Sequence, residues 1–128
     1  MLDNLVIAGA LSRLGLTDFI SNLGVMAVHH NGPTVTISLP GEQTEVLSSR
    51  QFEAQINQTH LKETGKPIVF KGPSSYRDGS DDLKVVIFEN TYGHALLNET
   101  LGVCTVYIHN TLALALHRNS DGFWDIID

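Results

Sequence analysis

The chain has little cysteine and few cations: one Cys, Cys104, and eight Lys and Arg among 128 residues, no two of them adjacent. A single cysteine excludes an internal disulfide, and its position in a strand-like run predicts a small buried side chain instead of a reactive thiol. Nucleic-acid binding needs clustered cations to neutralise phosphates. We therefore expect no nucleic-acid partner.

Long hydrophobic runs are also missing. The apolar run Leu5–Leu11 is too short to cross a bilayer. Asp3 stands where a secretion signal needs a positive residue, so this run does not resemble a signal peptide. The sequence therefore predicts a cytoplasmic protein with no membrane partner.

What is present indicates a folded globule. Apolar residues make up 42% of the chain and charged residues 17%, and the net charge of −6 is spread along the whole length. No internal repeat or linker interrupts the sequence. We expect residues 1–128 to form a single domain.

The first 24 residues predict two short helices. Asp3 can cap a first helix that ends at Gly15, and Thr17 can cap a second, Thr17–Leu23, ended by Gly24. The first helix is almost entirely apolar. It therefore lies either between other elements of the fold or at a subunit interface.

The next segments carry clear boundary residues. Asn31-Gly32-Pro33 predicts a turn between two strands, and Pro40-Gly41 ends the second of them. Ser48 and Gln51 form a capping box, which predicts a helix that ends at Gly65. The inward face of this helix is predicted to comprise Phe52, Ile56, Thr59 and His60.

The second half is strand-rich. We expect a short strand at Pro67–Phe70, a loop over Gly72–Asp82, and a doubly covered strand at Lys84–Glu89. Three further strands are predicted at Val103–Ile108, Leu112–His117 and Phe123–Ile127, with a bend near His109–Thr111. The sum is an α+β fold in which a mostly antiparallel curved sheet of about five or six strands packs against about three helices.

This element order resembles the cone-shaped fold of the nuclear transport factor and ketosteroid isomerase (SnoaL-like) superfamily. The shared ending is a strand, Leu112–His117, that turns through Ser120-Asp121-Gly122 into Phe123-Trp124-Asp125-Ile126. The resemblance implies a curved sheet wrapped around a pocket that the helices close, as in cystatin-like arrangements, and a dimer built on the outer sheet face. Enzymes of that superfamily use an Asp, Tyr or His in the pocket, and many relatives only bind ligands.

The candidate site lies on the strand Val103–Ile108 and its continuation. Alternation places Thr105, Tyr107 and His109 on the face opposite Cys104 and Val106. Tyr107 and His109 are predicted to act as a catalytic pair that donates hydrogen bonds to a carbonyl or a developing oxyanion. The same spacing is also common for two side chains that simply face solvent. The predicted ligand-binding residues are Thr105, His29 and His60.

No cofactor or metal is expected. The adjacent His29 and His30 point to opposite sides of a strand and cannot reach one ion, and the other histidines lack ligand spacing. The sequence contains no nucleophile elbow or phosphate-binding glycine loop. Whether the protein is an enzyme is left open.

Two functional classes fit these observations. The first, which we favour here, is a small-molecule-binding domain with a pocket between helices and curved sheet, including a simple acid-base isomerase or dehydratase-like enzyme. The second is a non-enzymatic interaction module, such as an inhibitor, immunity-type or mobile-element accessory protein, whose acidic surface engages a basic protein partner. A homodimer formed through the first helix or an outer sheet face is predicted in either case.

Overall fold

The computed structural model describes residues 2–23, 26–89 and 92–127. Over these ranges the chain is α+β, with two helices, α1 (Leu2–Leu14) and α2 (Ser49–Thr64), and two antiparallel sheets. The first sheet holds, in spatial order, β1 (Thr17–Leu23), β2 (Met26–Asn31), β3 (Thr34–Leu39) and β4 (Gln43–Ser48). The second has the order β10-β9-β8-β7-β6-β5 and consists of β5 (Phe70–Asp78), β6 (Asp81–Phe88), β7 (Gly93–Asn98), β8 (Val103–Ile108), β9 (Thr111–Arg118) and β10 (Trp124–Ile126).

The predicted α+β class and the antiparallel pairing are confirmed. The number of elements differs from the prediction. The described ranges contain two helices, where about three were expected, and ten strands, where about five or six were expected. These strands form two sheets, of four and six strands, where a single curved sheet of about five or six strands was expected. Most of the difference arises in three segments: residues 17–23, residues 43–48, where the sequence predicted no strand, and residues 72–82.

The segment Thr17–Leu23 is a strand, so the helix predicted there is wrong. Phe19 and Leu23 are buried and would share a face in a helix, but they also share a face in a strand. Pairing with β2 decides between the two periods, because Phe19 lies opposite the buried His30 while Ile20 turns outward and is 64% exposed. The predicted terminator Gly24 lies outside the described residues.

The hairpin and capping predictions are confirmed. Strands β2 and β3 pair across the expected turn. The side chain of Ser48 accepts a hydrogen bond from the Gln51 N–H, and the Gln51 side chain accepts one from the Ser48 N–H. Gly65 ends α2 in the left-handed region at φ 77°, which a side chain would disfavour. The helix buries Phe52, Ile56 and His60, whereas Thr59 stays partly exposed.

The polar stretch predicted as a loop is instead a β-hairpin. Strands β5 and β6 pair from Phe70 to Asp78, so the predicted short strand Pro67–Phe70 is also misplaced. The backbone amides of polar residues are satisfied by pairing with β6, although their side chains remain in water. β6 is not covered on both faces, because Ile87 is 47% exposed while Val86 and Phe88 are buried.

The last three strands match the prediction to within two residues at each end. His109 and Asn110 form the expected bend, with φ values of 51° and 63°. Two consecutive positive φ values are typical of a two-residue hairpin turn. The turn at Thr91-Tyr92-Gly93 lies partly outside the described residues, and β7 begins at Gly93.

Helix α1 lies inside the fold. It contacts α2, β2 and the β5–β7 part of the six-stranded sheet, and it buries residues on nearly every side. Gly9 permits this closeness, since a Cβ there would lie 2.6 Å from the Phe70 ring. Of the two placements that its apolar composition allowed, the structure therefore shows the helix between other elements.

Candidate functional site

A surface cleft that combines apolar and charged side chains lies where the two sheets meet. Its volume is about 560 Å³. Strand β1 borders it on one side and β10 on the other, and each of these strands is the edge of its sheet. We call it the β1–β10 cleft and define it by its lining residues: Asp18, Phe19, Ile20, His29, Phe123, Trp124, Asp125 and Ile126.

An acid–histidine pair lies on the β1 side of the cleft. Oδ1 of Asp18 is 3.4 Å from Nε2 of His29, and both side chains are about one-third exposed. Asp18 has a φ of 57°, and the register of β1 against β2 shifts between Thr17 and Phe19. A β-bulge at this point redirects the Asp18 carboxylate, which is a common use of bulges beside binding sites.

A second carboxylate is held on the β10 side. Asn119 Oδ1 accepts hydrogen bonds from the backbone N–H groups of Asp121 and Phe123, each at 3.0 Å. The other end of the same amide donates to Asp125 Oδ2 at 3.1 Å. Asn119 thus fixes both the turn before β10 and the position of the Asp125 carboxylate.

The lining of the β1–β10 cleft contains two carboxylates, one histidine and no Lys or Arg. The remaining lining side chains are apolar or aromatic, and Ile20, Phe123 and Ile126 keep about half or more of their surface exposed. An open apolar surface flanked by carboxylates favours a ligand that is apolar in part and positively charged in part.

Of the sequence-predicted residues, His29 alone lines this cleft. Thr105 and Tyr107 lie on β8, half-buried on the face opposite Cys104 and Val106, as alternation predicts. His109 lies in the turn after β8 with a φ of 51°, so strand alternation does not describe its position relative to Tyr107. Tyr107 stacks instead on His94 of the neighbouring strand, with ring centroids 5.1 Å apart.

His60 makes contacts that hold the end of α2 in place. It is buried near the end of α2, where Nδ1 lies 2.7 Å from the Lys66 carbonyl oxygen and 3.2 Å from Thr64 Oγ1. These contacts bridge the helix end to the chain that follows it. The predicted ligand residues Thr105, His29 and His60 therefore do not share one site.

His30 is the most strongly perturbed histidine of the described chain. It is fully buried, stacks on Phe19 and meets Phe52 edge-on. Ser12 Oγ donates to the Ala8 carbonyl and lies 3.0 Å from His30 Nδ1, so Nδ1 carries the proton and donates to Ser12. Burial, assisted by the nearby His29, lowers the pKa of His30 to about 4.

Two other chemical possibilities have little support within the described ranges. Cys104 is buried, and burial raises the pKa of its thiol to about 12, so the nucleophilic thiolate is not populated near neutral pH. The described residues contain no group of three or more His, Cys, Asp or Glu side chains arranged to hold a metal ion.

None of the described helices has the length and apolar character required to span a bilayer.

The cleft residues that sequence reasoning missed are Asp18, Phe123 and Asp125. Asp18 fell within the predicted second helix, and the other two fell on a predicted terminal strand. The turn residues Asn119–Gly122 were the available sign, because they fix where β10 begins. No protein-family model, curated protein or solved structure matches the chain. The superfamily resemblance therefore stays a prediction.

Proposed function

We propose that this protein is a non-catalytic interaction module that binds an extended, basic and apolar segment of a partner protein in the β1–β10 cleft. The observation that carries this proposal is the composition of the cleft, in which Asp18 and Asp125 flank apolar surface without any Lys or Arg. A basic residue on the partner would pair with these carboxylates while its apolar neighbours cover Ile20 and Phe123.

The position of the cleft supports an extended ligand. Among the strands of the described ranges, β1 pairs with β2 alone, so its other edge is open to an added strand. The sequence of β1 contains no Lys, Arg or Pro, and its charged residue and bulge both lie at Asp18, so Phe19–Leu23 lacks the features that commonly protect sheet edges. By contrast, the β5 edge carries Lys71, Pro73 and Arg77. β1 is thus suited to strand addition, with alternate ligand side chains directed into the cleft.

The second candidate function is binding of a small organic cation in the same cleft. Its volume of about 560 Å³ lies within the range of small-molecule sites. Trp124 and Phe123 supply aromatic surface beside the two carboxylates. This candidate keeps the small-molecule prediction but moves the pocket from between helices and sheet to the meeting point of the two sheets. The cone-shaped arrangement and any isomerase-like activity of Tyr107 and His109 remain predictions.

Fluorescence anisotropy with two matched peptides tests the proposal. One ten-residue peptide alternates valine with lysine, and the other alternates valine with glutamate. We expect the lysine peptide alone to bind, and the D18N/D125N variant to bind it about tenfold more weakly, because two charge-assisted contacts are lost. The control variant E42Q/E45Q removes the same charge from an exposed part of the first sheet and should retain wild-type affinity.

Strand addition makes a further distinction. A lysine peptide with N-methyl groups on alternate residues lacks the N–H donors that pairing with β1 requires, and it should not bind. Backbone hydrogen exchange in Phe19–Leu23 should slow only when the unmodified peptide is present. Equal binding of the lysine and glutamate peptides, or equal losses in both double variants, would contradict the proposal. Binding of tryptamine but of neither peptide, measured by thermal shift, would favour the small-molecule candidate.

A further inference from the structure

A second concave region adjoins the β1–β10 cleft at the start of β1. Its volume is about 380 Å³. Trp124 lines both regions, and along β1 the lining passes from Thr17 in this region to Asp18 in the β1–β10 cleft. The two regions are therefore neighbours along one strand. We call the second one the Arg118 pocket and define it by six of its lining residues: Leu16, Thr17, Lys84, Glu99, Arg118 and Trp124.

The Arg118 pocket has the opposite charge to the β1–β10 cleft. Its lining contains two cations, Lys84 and Arg118, and one carboxylate, Glu99. That carboxylate is already paired, since its Oε1 lies 2.8 Å from Lys84 Nζ. The lining of the β1–β10 cleft contains two carboxylates and no Lys or Arg. A ligand that extends through both regions therefore meets positive charge at one end and negative charge beyond it.

Arg118 is held in position but is not neutralised. Its Nη2 donates to the Glu99 carbonyl oxygen at 3.2 Å, and the guanidinium carbon lies 5.8 Å from the centroid of the Trp124 ring. Among the described residues no carboxylate lies within ion-pair distance of this guanidinium, whereas four other cations each pair with one. A guanidinium presents several N–H donors in a planar fork that matches a carboxylate. Arg118 is therefore a positioned donor for an anionic group of a ligand.

The direction of an added strand decides which of its ends reaches Arg118. Every strand pair in the described ranges is antiparallel. A strand added antiparallel to β1 runs toward Thr17 and therefore has its carboxyl end at the Arg118 pocket. A parallel strand would have its amino end there, beside two cations. Charge and the pairing pattern of the sheets thus favour the same direction.

We infer that the segment bound in the β1–β10 cleft is the C-terminal end of the partner protein, and that its terminal carboxylate binds Arg118. Thr17 and Asp18 are adjacent on β1, and a strand advances ~3.4 Å per residue. The basic side chain that meets Asp18 therefore belongs to about the last three residues of the ligand. This inference rests on the proposed function, to which it adds the identity of the chain end and the direction of the bound strand.

Fluorescence anisotropy tests the inference with the alternating valine–lysine peptide, labelled at its N-terminus and prepared with either a free C-terminal carboxylate or a C-terminal amide. The wild-type protein should bind the acid about tenfold more tightly than the amide. The net charge of −6 would by itself favour the amide, so a preference for the acid requires a local cation. R118Q should bind both forms with the affinity of the amide. R50Q removes the same charge from an exposed position on α2 and should keep the preference.

D18N/D125N separates this inference from the proposed function, because it should weaken both peptide forms by the same factor and keep the preference for the acid. If wild type binds the two forms equally and D18N/D125N still weakens them, the chain-end inference fails and the proposed function stands. If neither form binds, both fail. An amidated peptide with a final glutamate that binds as tightly as the acid would also overturn the inference, since any carboxylate would then suffice. Circular dichroism confirms that R118Q is folded; if it is not, R118K, which keeps the charge without the planar fork, should reduce the preference.

Discussion

The stability of this protein should fall steeply between neutral pH and pH 5 because of His30. The imidazole is fully buried, and its pKa is lowered to about 4, mainly by desolvation and further by His29. Above pH 6.5 the ring is neutral in both the folded and the unfolded chain. Below that value the unfolded chain takes up a proton that the folded chain does not, so acid favours unfolding.

The size of the effect follows from the two pKa values. With 6.5 in the unfolded chain and about 4 in the folded chain, the loss of unfolding free energy attributable to His30 is about 2 kcal/mol at pH 5. It approaches about 3 kcal/mol once the pH is well below 4. The contribution is therefore fully present above pH 6.5 and is lost as the pH falls toward 4.

The assay is urea unfolding at pH 7.5, 6, 5 and 4.5 (values chosen to span the two pKa values), followed by the fluorescence of Trp124, the single tryptophan. H30N retains a donor toward Ser12 Oγ but cannot titrate. Other groups titrate alike in both proteins, so the difference between wild type and H30N isolates the histidine. H117N, at an exposed position on β9, controls for removing a histidine in general.

We expect H30N to lose about 2 kcal/mol less than wild type between pH 7.5 and pH 5. S12A should lower stability at every pH while the slope persists, since the ring remains buried and titratable. Parallel pH profiles for wild type and H30N would refute the argument, because they would mean that His30 is solvated or protonated in the folded chain.

Two further stability changes follow from particular contacts. G9A should cost about 1–3 kcal/mol in urea unfolding, because the new methyl group would lie 2.6 Å from Phe70 Cζ, and G9A/F70L should cost less than the sum of its single substitutions. Additive costs would show that the helix shifts instead of clashing. S48A should cost about 1 kcal/mol through loss of the α2 cap, whereas S38A, an exposed serine on β3, should be nearly neutral. Equal effects of the two serine changes would remove the capping explanation.

Local chemistry could be predicted from sequence where a few neighbouring residues decide it. The capping box of Ser48 and Gln51, the Gly65 cap and the turn at His109–Asn110 depend on contacts within five residues, and all three are present. The burial of Cys104 and Val106 follows from strand alternation in the same way.

Pairing partners that no local turn connects could not be predicted in this way. β1 satisfies helical and strand periods alike, and only the register against β2 selects the strand. The β5 strand has few apolar residues, so its existence depends on the adjacent β6 and not on its own composition. The β1–β10 cleft arises where two sheet edges distant in sequence meet. Asp18 and Asp125 are brought to it by topology, and nothing in their local sequence distinguishes them from other surface acids.

The charge of the β1–β10 cleft makes binding there sensitive to salt. Attraction between the cleft and a lysine peptide depends on Asp18 and Asp125, so added salt should weaken it. The D18N/D125N variant lacks these carboxylates, so its remaining affinity should depend less on salt than the affinity of the wild type does. Equal salt dependence in the two proteins would show that the attraction arises from the overall net charge of −6 and not from the cleft.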